Sequence, residues 1–224
     1  GTLTPPREHL DYNLVETLTE TCKYAEIGIV SGSDYDYIMQ QCGFLTTKDE
    51  IKLKLHLLPC NGTKHYAPPS YRDQTHKLTY KENMRRTLGD PDFNTILKKL
   101  IDYQNHIVSH YDIPLTGHFI SYRESMINWC PIGRNALNGD REKFANFDKS
   151  FGTSTFRRTL LGQMREEFSN AQIPVEIKLG GETSFDIYPE GWDKTFAMQH
   201  FPDYKIYFLG DRCGDNGNDK ELFD

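Results

Sequence analysis

A chain of 224 residues with 37% hydrophobic content is long enough to bury one large core or two smaller ones. Its formal net charge of -6 argues against a nucleic-acid surface, which needs a basic excess to meet the phosphate backbone. No run of eighteen apolar residues occurs, the first residues are not a signal peptide, and Cys22, Cys42, Cys60, Cys130 and Cys213 show neither CxxC nor zinc-ligand spacing, so the expectation is a soluble, cytoplasmic protein with reduced thiols and no membrane partner.

In chain order, Asp11 or Asn13 is placed to cap a helix running to about residue 25. The apolar run 27–30 then reads as a buried parallel strand, followed by the turn Ser31, Gly32, Ser33 and Asp34. Residues 51–58 alternate Lys and His with Ile and Leu, which predicts a half-exposed strand, and 67–81 reads as a surface hairpin or linker. Asp92 is placed to cap a helix carrying Phe93, Ile96, Leu97, Leu100, Ile101, Ile107 and Val108 as far as Pro114. Two short strands are expected at 118–122 and 126–129, with Arg123 and Glu124 between them. Two charged amphipathic helices follow at 141–151 and 155–168, the second capped by Ser154, and then an alternating strand at 174–179.

The most informative stretch is 180–194, GGETSFDIYPEGWDK. Period-two alternation puts Ser184 and Asp186 on one face of a strand and Phe185 and Ile187 on the other, so one face can bind while the other packs. Pro189, Glu190 and Gly191 break the strand, and Lys194 falls in what reads as the first turn of a helix. On the residues alone, an ordinary edge strand followed by a solvated lysine accounts for the same pattern. Residues 204–209 form an apolar run expected to be a strand, with the acidic, glycine-rich loop from Asp211 to Asp219 at its carboxyl end. Hard carboxylate oxygens in such a loop suit Mg2+; a calcium loop of the EF-hand type is excluded because it lacks a glutamate at the twelfth position.

Four stretches carry a family resemblance. The segment 180–194 resembles the GGxxSFDxxPxGWDK of eukaryotic phosphomannomutases, members of the haloacid dehalogenase superfamily. FISYRESMINWCPIGR at 119–134 is similar to their FIEFRNGMLNVSPIGR, with Glu124 in place of an asparagine, and GDRCGDNGND at 210–219 resembles GDKTMPGGND. The turn Pro59, Cys60, Asn61 and Gly62 resembles their PENG, with Cys60 in place of the glutamate. Gly1 to Arg7 stands where the superfamily has a strand and D-x-D-G-T-L, so the nucleophilic and acid–base aspartates are expected to precede Gly1.

The resemblance implies an α/β core of the haloacid dehalogenase type from 1–81 and 186–224, with an inserted α+β cap at 82–185 and the active site between the two. It implies Arg7, Arg123, Arg134, Arg141, Ser184 and Asp186 as substrate-binding residues. A guanidinium fork matches phosphate oxygens two at a time and stays charged at any working pH. It also implies Ser31 and Lys194 as the groups that fix the phosphoryl group, and Asp211, with Asp219 second, as Mg2+ ligands. The implied activity interconverts mannose 6-phosphate and mannose 1-phosphate, supplying GDP-mannose, with a sugar 1,6-bisphosphate as activator and a homodimer formed through the cap. A sugar-phosphate phosphatase of the same superfamily and a non-catalytic sugar-phosphate binding module are the alternatives.

Overall fold

The structure, a computed structural model, describes residues 2–5, 8–214 and 217–223. The chain divides into two units, 1–82 together with 192–224, and 83–191. The return from the second unit to the first therefore falls after Gly191 rather than at 185, because the strand that carries Ser184 and Asp186 is hydrogen-bonded along its whole length within the second unit's sheet.

In the first unit, helix α1 (Tyr12–Thr21) starts at Asp11, whose side chain accepts from the Asn13 N–H at 2.8 Å. Strand β1 (Ile27–Val30) leads to helix α2 (Tyr35–Cys42), capped by Asp34 through the Tyr37 N–H at 3.1 Å. Helix α3 (Asp49–Lys52) precedes strand β2 (Leu55–Leu58), so the first residues of the expected 51–58 strand are helical instead. The alternation there is real but serves two elements: Ile51 fills the core from a helix, Leu55 and Leu57 from a strand. Strands β3 (Lys64–Ala67) and β4 (Lys77–Lys81) form an antiparallel hairpin, giving a four-stranded sheet of order β1-β2-β3-β4 in which only β1 and β2 are parallel. Val15, Ile29, Ile38, Cys42, Leu45, Ile51, Leu55 and Leu57 pack as its core.

Between the core-facing leucines, His56 points the other way. Its Nδ1 lies 2.8 Å from His65 Nε2 on β3, and its Nε2 lies 2.9 Å from a Glu26 carboxylate oxygen. His200 stacks at a tilt on His65, and Phe201 sets its edge against both His56 and His65. Burial, with His200 and His56 alongside, holds the His65 imidazole down at about 4.

The second unit opens with helix α4 (Met84–His110), capped not by Asp92 but by Asn83, whose side chain accepts from the Arg86 N–H at 3.0 Å. Gly89 breaks the helix at φ 80°, ψ 160°, and Pro91 restarts it where a missing N–H costs nothing. Strands β5 (Ile120–Tyr122) and β6 (Ile127–Trp129) form a hairpin. Helix α5 (Asn138–Lys149) and helix α6 (Phe156–Asn170) follow; Thr155 rather than Ser154 caps α6, accepting from the Arg158 N–H at 3.2 Å. Strands β7 (Val175–Gly180) and β8 (Ser184–Pro189) complete an antiparallel sheet of order β5-β6-β8-β7. Its apolar face presents Trp129, Phe185, Ile127, Ile187 and Ile177, all buried, with α4 against β8 and α6 against β7. Trp129 stacks on Phe185 at 5.2 Å, and side chains of this size each stabilise by roughly 1.5–3 kcal/mol on burial.

After β8, a single 3-10 helix (Lys194–His200) begins at Asp193, whose carboxylate accepts from the N–H and hydroxyl of Thr195. The expected strand at 204–209 does not form: among the described residues no ladder reaches it, and Tyr204, Ile206, Tyr207 and Leu209 are exposed. Apolar composition fits a segment for a sheet, but only a hydrogen-bonded neighbour makes it a strand. The short helix α7 (Lys220–Phe223) ends the described chain. No helix among the described residues is long and apolar enough to cross a membrane.

Candidate functional site

The second face of the β5-β6-β8-β7 sheet is polar. Strand register sets Ser121, Asn128, Asp186 and Lys178 side by side across all four strands, since Ser121 pairs with Asn128, Asn128 with Asp186, and Asp186 with Lys178. Ser184 stands two residues from Asp186 on the same face, opposite Gly180. Ser184, Asp186 and Asn128 are all buried, so their hydrogen bonds have to be satisfied within the protein.

The bonds run in a fixed sense. The Ser184 hydroxyl donates to the Gly180 carbonyl at 2.7 Å, and the Asn128 amide donates to Ser184 Oγ at 3.0 Å and to Asp186 Oδ1 at 2.7 Å. Arg134 Nη1 donates to Asn128 Oδ1 at 2.8 Å. Gly180 has to be glycine for this packing, because a Cβ there would meet Ser184 Oγ at 2.8 Å and Asp186 Oδ2 at 2.9 Å.

Arg134 arrives at the face through a tight turn. The Gly133 N–H donates to the Cys130 carbonyl at 2.8 Å, which folds the chain back past the end of β6. Arg123 is buried at the other end of β6, in the β5–β6 turn, where Glu124 adopts φ 67°. Arg141, on α5, donates to Glu182 in the β7–β8 turn at 2.9 Å. Two further arginines reach across from α6: Arg157 bonds Asp148 and the Gly181 carbonyl of that turn, and Arg165 donates twice to the Ile177 carbonyl on β7. The structure thus joins Arg134, Ser184 and Asp186 in one network, ties Arg141 to the adjoining turn, and sets Arg123 across the hairpin.

Asn128 and Glu182 escape sequence reasoning. The only signal for Asn128 is a lone amide between Ile127 and Trp129, and for Glu182 a charge next to a glycine pair.

In the first unit, Lys194 Nζ pairs with Asp219 Oδ1, both side chains nearly buried, while Asp219 Oδ2 accepts from the Arg212 N–H at 3.0 Å. Both Asp219 oxygens are therefore engaged in ordering the loop. Asp211 is more open, and its Oδ1 accepts from the Thr2 hydroxyl at 2.9 Å. Partial burial pushes its carboxyl up, yet it sits below the usual value, the Thr2 hydroxyl and the Arg212 charge being among the groups that lower it. Ser31, just after β1, accepts at Oγ from the Ser33 N–H at 3.1 Å. Arg7 lies outside the described residues, as does Asp215 of the glycine-rich loop.

Among the described residues no group of three or more His, Cys, Asp or Glu side chains could hold a metal ion. A single carboxylate completed by water and a substrate phosphate is an ordinary coordination for Mg2+, so Asp211 fits such an ion and the doubly engaged Asp219 does not.

A family model described as eukaryotic phosphomannomutase matches residues 14–224. A phosphomannomutase of Arabidopsis thaliana is 35% identical over 227 residues, covering 100% of this chain and 84% of that protein. A phosphomannomutase of Solanum lycopersicum is 33% identical over 226 residues, covering 100% of this chain and 82% of that protein. Among solved structures, an N-terminally truncated, IMP-bound IMP-nucleotidase of Plasmodium falciparum aligns with a TM-score of 0.66 at 14% identity, a likeness in fold alone. That alignment covers 99% of this chain, which spans 59% of the length of that structure.

Proposed function

Since the chain belongs to the eukaryotic phosphomannomutase family, with a mixed α/β architecture of the haloacid dehalogenase kind, we propose that it recognises a hexose phosphate through the polar face of its second sheet and takes part in interconverting mannose 6-phosphate and mannose 1-phosphate. The observation that carries this reading is the hydrogen-bonded set Arg134, Asn128, Ser184 and Asp186, which offers a cation and a carboxylate on one buried face. Arg134 and Arg141 meet the phosphate, Arg123 adds a third guanidinium, and Ser184 and Asp186 meet sugar hydroxyls. In the first unit, Lys194 and Ser31 steady the transferred phosphoryl group. Lys194 arrives already oriented by Asp219, so little reorganisation is needed when negative charge gathers near it.

Mg2+ held at Asp211 would neutralise charge on the phosphoryl oxygens. The catalytic cycle would run through a phosphoaspartyl group, as the family resemblance implies, with a sugar 1,6-bisphosphate as activator. We place the protein in the cytoplasm as a homodimer joined through the cap, acting on hexose phosphate rather than on nucleic acid or membrane.

Two measurements test this reading. Titration calorimetry with mannose 6-phosphate is expected to show binding that Arg134→Ala weakens by about tenfold or more, the loss typical of one charge-assisted hydrogen-bond partner. Extending the chain upstream with an apolar strand ending in D-x-D is expected to give exchange between the two mannose phosphates, followed by phosphorus NMR, without net phosphate release. Release of inorganic phosphate instead would favour the phosphatase, and binding with no turnover in the extended chain would favour the binding module.

A further inference from the structure

Asn128 is the least exposed member of the polar face, at 2%, and lies on one of the two inner strands, directly opposite Asp186. Which way its amide points follows from its neighbours. A guanidinium only donates, so the amide end facing Arg134 must be the oxygen; a carboxylate only accepts, so the end facing Asp186 must be the nitrogen. The same nitrogen donates to Ser184 Oγ, whose own proton is committed to the Gly180 carbonyl. One neutral side chain thus joins a cation, an anion and a hydroxyl, and its rigid amide plane sets the spacing between them.

That spacing matters chemically. A phosphate on a sugar brings an anion that wants Arg134 and, a few bonds away, hydroxyl hydrogens that want Asp186. If guanidinium and carboxylate closed on each other, each would satisfy the other and the face would lose both recognition groups. A bare anion, by contrast, gains from Arg134 and is repelled by Asp186, so the pair held apart favours ligands that carry donors next to their phosphate.

We propose that Asn128 is a positioning residue that holds Arg134 and Asp186 as two separate recognition groups, and so makes this face selective for a sugar phosphate over free phosphate. The proposal rests on the reading of Arg134, Ser184 and Asp186 as the hexose phosphate face.

The test uses the 224-residue chain and titration calorimetry with mannose 6-phosphate and, separately, inorganic phosphate. Asn128→Ala is expected to weaken mannose 6-phosphate binding by about tenfold, whereas inorganic phosphate, which loses the Arg134 contact but also the repulsion from Asp186, is expected to change by less than about threefold, so that selectivity falls. Combining it with Arg134→Ala is expected to add little to Arg134→Ala alone, because residues in one network are not additive.

Asn128→Asp keeps the side chain's shape and guards against a folding failure. It puts a second carboxylate against Asp186, with Arg134 and Lys178 as the cations beside the pair, so binding is expected to be weak at about pH 8 and to strengthen toward about pH 5.5 as the like-charged pair takes up a proton, by at least about fivefold more than in the unsubstituted chain. A purely structural role would move the melting temperature without producing that pH profile in the ligand titration of folded protein. Unchanged selectivity in Asn128→Ala together with a flat profile in Asn128→Asp overturns the proposal, provided that Arg134→Ala weakens binding. If Arg134→Ala itself binds normally, the assignment of the face is what fails.

Discussion

Replacing Gly133 by alanine tests how Arg134 reaches the polar face. Gly133 sits at φ 88°, in the left-handed region, and an added Cβ would lie 2.1 Å from the Gly117 carbonyl oxygen, with the Gly117 nitrogen and Thr116 Oγ1 both at 2.8 Å. Two of these three atoms are backbone, so no side-chain rotation relieves the clash. The unfavourable φ and the overpacking each cost on the order of 1–3 kcal/mol, together about 4 kcal/mol as a central value. For a unit of this size that corresponds to a fall in melting temperature of about 15 °C, measured by circular dichroism. The displaced turn carries the next residue with it, so mannose 6-phosphate affinity is expected to drop by about tenfold at a temperature where the variant is still folded. A Gly133→Ala protein that melts within about 2 °C of the parent and binds equally well would refute both the steric argument and the link from this turn to Arg134.

Glu182→Gln removes the partially exposed carboxylate that occupies Arg141, and is expected to tighten mannose 6-phosphate binding by up to about fivefold in low salt, an advantage that shrinks when calorimetry is repeated near 0.5 M salt, roughly where screening is complete. Lys194→Met leaves Asp219 buried without its counter-charge and should cost about 3–5 kcal/mol in urea unfolding, of which Asp219→Asn in the same chain recovers a large part. Because His65 is held at about 4, below the 6.5 of a free imidazole, the stability tied to its neutral form is complete above pH 6.5 and lost as pH falls through 4. Melting curves across that interval should therefore fall more steeply for the parent than for His65→Phe, by about 1 kcal/mol after allowing for the half-exposed ring.

Period-two alternation made the second sheet legible. At 184–188 the residues separate into a packing face and a polar face whatever the neighbours are, and the register places them so. What escaped were properties that depend on distant chain. Asn128 matters only because β8 brings Asp186 opposite it and the turn at Gly133 returns Arg134, and a lone amide in a three-residue strand announces neither. His200 is far in sequence from His56 and His65, and the three meet only once β2, β3 and the 194–200 helix are in place. Residues 51–52 alternate as a strand would, yet continue a helix begun at Asp49. Asp92 has the chemistry of a helix cap, yet it lies inside a longer helical segment that Gly89 interrupts and Pro91 resumes.

The bare stretch at 204–209 has a consequence for handling the protein. Tyr, Ile, Tyr, Phe and Leu within six residues are the composition from which intermolecular cross-β contacts grow, and four of these side chains face solvent. Lys205, whose ammonium rests over the Tyr207 ring at 4.9 Å, is the one charge inside the run and acts as its gatekeeper. Concentrated solutions of the isolated chain should owe their clarity to that lysine more than to the overall surplus of negative charge.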